Sequence, residues 1–160
     1  TTRPAARVCR MATAAVARMP AGARRLAGAG TASLAAPEAR AQAASPRQNR
    51  VVMQVSDNDP AKWNLALNNA HNLQSDLGAA NVDIEIVAYG PGIGMLKTES
   101  VVGNRIGEAL GSGVKVSACE NSMRGQKLVK SDMLGGIGYV PSGVVEIVQK
   151  EQQGWAYLRP

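Results

Sequence analysis

The feature that most constrains this chain is an alternation. Short β-branched apolar runs are separated by longer segments whose apolar residues recur at helical spacing, and Gly or Pro marks each change. Residues 51–55 (V-V-M-Q-V) have the length and composition of a buried strand. Asp59 stands where a helix cap belongs, with Pro60 at the first helical position. Trp63, Ala66, Leu67, Ala70, Leu73 and Leu77 then repeat along one helical face until Gly78 ends it. Residues 82–89 (V-D-I-E-I-V-A-Y) begin by alternating and end apolar, which predicts a second strand. The glycine-rich residues 90–94 predict a loop, and a short helix follows over about 100–110, closed by Gly111 and Gly113. Residues 114–118 form a third strand that delivers Cys119 into a polar helix start, E-N-S-M-R. A fourth strand spans 137–140, Ser142 caps a helix closed by Gly154, and 155–158 is an edge-like last strand.

Strand and helix alternating throughout predict an α/β fold: a three-layer sandwich with a mainly parallel five-stranded sheet and helices on both faces. Ligands of such sheets sit outside the carboxyl ends of the strands. The loops at 56–59, 90–97 and 119–124 are expected to converge there.

This domain is expected to span residues 49–160, with a leader before it at 1–48. Charge separates the two parts. The sequence is basic, at +6 over 160 residues. The first 48 residues hold eight Arg and one Glu, whereas the remainder carries ten basic and eleven acidic residues. The domain is thus near neutral, and no basic stripe interleaved with aromatics survives to read nucleic acid. The leader is rich in Ala, Arg, Gly and Pro, without a lasting amphipathic period. Arg24 and Arg25 precede a mildly apolar small-residue run, and Ala41-Gln42-Ala43 follows as an A-x-A site. Charged head, apolar middle and small-residue site are the parts of an export signal, here resembling the twin-arginine type; a disordered Ala/Arg-rich tail or an organelle transit peptide is the alternative reading of this leader. A periplasmic or exported protein is the expectation, with a cytoplasmic one as the alternative. No stretch approaches the roughly 20 apolar residues of a membrane span.

Of the two cysteines, Cys9 lies in the leader and Cys119 at the end of the third strand. Backbone N–H groups and the dipole of a following helix favour a thiolate at Cys119, and the thiolate is the nucleophile of sulfur chemistry. Arg124 would add positive charge and Glu120 would oppose it. The plainer reading is a small buried residue at a strand end. Gly90, Pro91, Gly92, Ile93 and Gly94 could present backbone N–H groups to a small anionic ligand, with Glu120, Asn121 and Arg124 completing the pocket. The plainer reading of that run is a tight turn, since no Gly-Lys-Ser/Thr follows it. His71 has no Cys or acidic partner at ligand spacing and reads as a surface residue, so no metal is expected, and no cofactor motif is present. Asp57, Asn58 and Asp59 read as turn and cap residues. Met53, Met95, Met123 and Met133 read as packing, and Trp155 and Tyr157 as core or subunit-contact residues.

Four segments carry a resemblance in both order and spacing. They are V-S-D-N-D-P after the first strand, I-V-A-Y-G-P-G-I after the second, A-C-E-N-S-M after the third, and the terminal Y-V-P-S-G-V-V-E-I-V-Q-K-E-Q-Q-G-W-A-Y-L-R-P. Together they resemble the DsrE/DsrF-like family across residues 49–160. The resemblance implies a small sandwich with a five-stranded, largely parallel sheet, and homo- or hetero-oligomers, commonly trimers or hexamers. It also implies sulfur relay by a cysteine persulfide between a donor and an acceptor protein, in sulfur oxidation or tRNA thiolation. Cys119 matches the place of the relay cysteine. On this basis the chain is expected to be a sulfur carrier or sulfurtransferase-like relay. The alternative is a non-catalytic oligomeric protein that binds a small ligand or serves as a structural partner.

Overall fold

The computed structural model describes residues 49–160. The leader, with its export signal and Cys9, lies outside the described residues. Five strands form one sheet: β1 (Asn49–Val55), β2 (Val82–Ala88), β3 (Lys115–Cys119), β4 (Gly138–Val140) and β5 (Ala156–Leu158). Their order is β4-β3-β2-β1-β5 and every pairing is parallel. The four α-helices are α1 (Pro60–Leu77), α2 (Gly103–Gly111), α3 (Glu120–Gly125) and α4 (Gly143–Gln152).

The local signals act as their chemistry dictates. Asp59 is extended and its side chain accepts the Ala61 N–H at 2.8 Å, with Pro60 beginning α1. The glycine run is not an open loop: Gly90–Leu96 winds into 3-10 helix, burying Ile93, Met95 and Leu96. α2 begins later than residue 100, because residues 97–102 are spent on turns and on a bridge between Lys97 and Met133.

Period-two alternation assigns the strand residues to two layers. Val51, Met53 and Val55 of β1, Ile84, Ile86 and Ala88 of β2, and Val116 and Ala118 of β3 face the main core. Trp63, Ala66, Leu67 and Ala70 of α1 and Ile106 of α2 close it. Met53, Met95, Met123 and Met133 all pack into this layer. The intervening positions, Val52 and Val87, face a smaller core under α4 with Ile147. Glu85 and Ser117 are the buried polar residues among those described, and they bond each other: the Ser117 hydroxyl donates to Glu85 Oε1 at 2.8 Å. The other carboxylate oxygen takes Lys150 Nζ at 2.6 Å, and Lys150 also reaches Glu146 at 3.4 Å. Trp155 lies over that ammonium, 4.4 Å from its ring centroid. A buried carboxylate without these partners would be costly, so the strand position of Glu85 is tied to α4.

Candidate functional site

The parallel sheet brings the ends of β1, β2, β3 and β4 to one edge. Cys119 is the last residue of β3 and the cap position of α3, with 3% of its surface exposed. In register it pairs with Val140, so the chain leaving β4 runs beside the start of α3. That places Gly143 against the cysteine, and the Asn121 N–H reaches the Pro141 carbonyl at 3.3 Å. Gly143 opens α4 and fills a gap that admits no side chain. A Cβ there would lie 3.0 Å from Tyr89 Cβ, 3.2 Å from Cys119 Cβ and 3.2 Å from Val87 Cγ1. Two helix starts, of α3 and α4, thus flank one sulfur.

Burial pushes the Cys119 thiol up. Hydrogen-bond donation by the Ser122 hydroxyl, then by the backbone N–H groups of Gly143, Ser122 and Asn121, outweighs it and leaves the thiol below its ordinary value. The side chain closes no capping hydrogen bond to α3. Arg124, expected to supply charge, instead bonds the Asn121 side chain. Glu120 is paired with Lys130 at 3.8 Å. The stabilising dipoles are neutral groups, and Gly143 and Ser122 are the ones sequence reasoning did not single out. Ser142 followed by Gly at a helix start, where almost any other residue is a better helix former, was the available signal for Gly143.

The glycine-rich segment lies beside this site and is joined to it through Ser122. Gly90 N–H donates to Ser122 Oγ at 2.7 Å, and Gln126 Nε2 donates to the Gly90 carbonyl at 2.9 Å. Gly92 N–H reaches the Ser56 and Tyr89 carbonyls, both at 3.1 Å. Its Cα faces the backbone of β1, and a Cβ would stand 2.3 Å from the Val55 carbonyl oxygen. Ile93 is fully buried, Gly94 packs by Asn58 and Trp63, and Pro91 is exposed. The amides of Gly90 and Gly92 are thus engaged within the protein.

Tyr89 is half-buried beside Gly143. Burial holds its phenol above the ordinary value, with Tyr157, Asp57 and Cys119 adding to the effect and Arg159 opposing it. Asp57 joins Lys62 at 3.0 Å and Arg159 at 3.8 Å on the same edge. His71 is exposed and lines a shallow groove between α1 and α2 with Gln74, Arg105 and Glu108. That groove reaches Val114, at the other end of β3 from Cys119. Among the described residues no cluster of His, Cys, Asp and Glu is placed to hold a metal ion. Among the same residues no helix is long and apolar enough to cross a membrane.

Among solved structures, the chain is similar to a protein of unknown function, MTH1491 from Methanobacterium thermoautotrophicum. The two share 38% identity at a TM-score of 0.67, over 70% of this chain and 99% of that one. The fold alone is shared with BT1422 from Bacteroides thetaiotaomicron, also of unknown function, at 17% identity, TM-score 0.54, and coverage of 70% and 95%. It is likewise shared with the ychN protein of E. coli, at 12% identity, TM-score 0.57, and coverage of 70% and 99%. No curated protein matches. The model of the DsrE/DsrF-like family matches residues 50–160, the whole of the sheet and its helices, and the chain belongs to that family.

Proposed function

We propose that the protein carries sulfur as a persulfide on Cys119, a sulfurtransferase-like relay between a donor and an acceptor. The observation that carries the reading is the place of Cys119, buried at the end of β3 where the starts of α3 and α4 meet, with its thiol held below the ordinary value. In the loading step the Cys119 thiolate attacks the outer sulfur of a donor persulfide. The donor S–S bond breaks, and the donor thiolate leaves with the electron pair. In the unloading step an acceptor thiolate attacks the outer sulfur now on Cys119, and Cys119 leaves as thiolate. A thiol held below its ordinary value serves both steps, since a larger fraction of it is thiolate at a given pH and it is a better leaving group. Family membership supports the same chemistry, because the family is generally tied to sulfur relay.

Self-association belongs to this reading. Val144, Val145 and Val148 stand half-exposed on α4, immediately after Gly143, so a subunit contact there would adjoin the sulfur. Export by the leader is likewise part of the proposal and rests on its composition alone. The 3% exposure of Cys119 favours a second reading, a non-catalytic subunit in which the cysteine only packs.

Alkylation separates the two. Iodoacetamide rates against pH, read at the Cys119 peptide by mass spectrometry, keep Cys9 from confusing the result. A relay cysteine reacts in the native protein with a midpoint below about 8.5, the ordinary thiol value. Reaction only after denaturation, or a midpoint at or above that value, would leave the packing role standing.

A further inference from the structure

We propose that the sulfur donor is a small organic persulfide carrying a carboxylate, and that Arg159 binds this carboxylate at the far end of a polar row leading to Cys119. The inference rests on the persulfide reading and adds to it the class of donor.

The row follows from register. Strand residues two apart share a face, and the α4 face of the sheet is marked by Gly143, which lies against Val87, Tyr89 and Cys119 together. Gln54 is the register partner of Val87, and Tyr157 that of Val52, the other strand residue under α4. Hydrogen bonds show that these side chains meet. The Tyr157 hydroxyl donates to Gln54 Oε1, and Gln54 Nε2 donates to Ser56 Oγ at 3.1 Å. Arg159 lies two residues beyond Tyr157, and Ser56 two beyond Gln54. Across the carboxyl edge the order is therefore Arg159 after β5, Ser56 after β1, Tyr89 after β2 and Cys119 ending β3. The two ends of this row differ. Cys119 is buried, and on its β4 side the Asn121 N–H ties α3 to the Pro141 carbonyl. Tyr157 and Arg159 are exposed. A ligand with its head at the open end and its sulfur at the closed end fits this polarity.

Charge selects the head group. Arg159 faces Asp57 at 3.8 Å, beyond hydrogen-bonding distance, while Lys62 takes the same carboxylate oxygen at 3.0 Å. Two cations thus share one anion, and the guanidinium keeps its fork of donors for a planar carboxylate. Two other cations near Cys119 are engaged: Arg124 with Asn121, and Lys130 with Glu120 and over the Tyr139 ring at 4.5 Å. Size selects the rest. From β5 to β3 is three strand spacings, about 14 Å, which the long Arg159 side chain shortens. An extended tripeptide spans about 10 Å. A tripeptide-sized thiol can therefore hold Arg159 and present its outer sulfur to Cys119, whereas an inorganic polysulfide of a few atoms reaches one of them only. In loading, the Cys119 thiolate bonds to that outer sulfur, the donor S–S bond breaks, and the tripeptide leaves as thiolate with the electron pair.

The test loads the full chain with glutathione persulfide or with the persulfide of glutathione diethyl ester, which has the same backbone and no free carboxylate. Sulfur gained at the Cys119 peptide is followed by mass spectrometry against donor concentration. Wild type should reach half-maximal rate at about tenfold lower concentration of the acid than of the ester, as one charge-assisted contact predicts. Arg159→Gln should bring the two donors within about twofold of each other, with the maximal rate for the acid kept. Arg124→Gln should leave the tenfold preference in place. An Arg159 that only ties the end of β5 to Asp57 would, on removal, slow both donors alike and leave their ratio unchanged. Equal use of acid and ester by wild type, or one ratio shared by wild type and Arg159→Gln, overturns the inference. Loss of the preference in Arg124→Gln does the same, because the carboxylate would then sit at α3. Failure of Cys119 to gain sulfur from either donor would instead overturn the persulfide reading, so the two failures are told apart.

Discussion

Replacing Gly143 by Ala tests the packing of the site and its electrostatics at once. The new Cβ would stand 3.0 Å from Tyr89 Cβ and 3.2 Å from both Cys119 Cβ and Val87 Cγ1, where ordinary contact is 3.4–4 Å. Two of these three neighbours are β-carbons fixed to the backbone of two different segments, so no side-chain rotation relieves the clash. The start of α4 must lift by a few tenths of an ångström. Overpacking of this kind costs about 1–3 kcal/mol. Ala is the better helix former by up to about 1 kcal/mol, which offsets part of that. The net expectation is a loss of about 1–2 kcal/mol, a fall in melting temperature on the order of 5–10 °C for a domain of this size. The same shift draws the Gly143 N–H away from the sulfur. The midpoint for Cys119 alkylation should therefore rise, by less than about one pH unit because the other donors remain. Melting and alkylation profiles of wild type and variant measure both effects. A variant that melts at or above wild type with an unchanged midpoint would refute the reasoning, since neither the clash nor the dipole would then exist.

Other outcomes follow from the same framework. Lys150→Met strands the Glu85 carboxylate, 5% exposed, without its partner, and should cost about 3–5 kcal/mol in urea unfolding. A loss under about 1 kcal/mol would show that the carboxylate accepts a proton or water instead. The pH dependence has a definite sign. Burial lowers the Lys150 pKa, but Glu85 and then Glu146 raise it further, and the net value lies above the ordinary one. Its contribution to stability is therefore complete below the unfolded-state value of about 10.4 and is lost as pH rises through the higher folded value. Unfolding at pH 9 and 11 should show this loss in wild type and not in Lys150→Met. Amino-terminal sequencing of the protein from its native host should begin after Ala43; a protease-resistant segment before Ala44 would contradict the export signal.

Much of the fold was legible because each local signal had one physical meaning. Asp59-Pro60 is a helix start whatever surrounds it, and the β-branched run V-V-M-Q-V has no helical face to bury. The strand-end position of Cys119 followed from the same alternation. What stayed hidden depends on which elements become neighbours. Gly143 matters because β4 lies beside β3, a pairing that no local pattern encodes. Glu85 sits in an alternating stretch, V-D-I-E, where period two marks it as facing away from the main core. It is buried all the same because α4 covers that face and brings Lys150 to it. The glycine run was legible as compact backbone, but its 3-10 winding and its bond to Ser122 depend on Gly92 lying against β1. The bond from Arg124 to Asn121, three residues back on the same helix, was not singled out, because closeness in sequence to Cys119 does not say which neighbour a long side chain takes.

The central claim is that Cys119 carries sulfur, and intact-mass analysis tests it most directly. The protein is incubated with a low-molecular-weight persulfide donor, its mass is measured, and the modified peptide is located. The account predicts a gain of one sulfur atom on Cys119, removed by thiol reductant and absent in Cys119→Ser while the fold is kept. An unmodified Cys119 in native protein, or the same gain in Cys119→Ser, would contradict it.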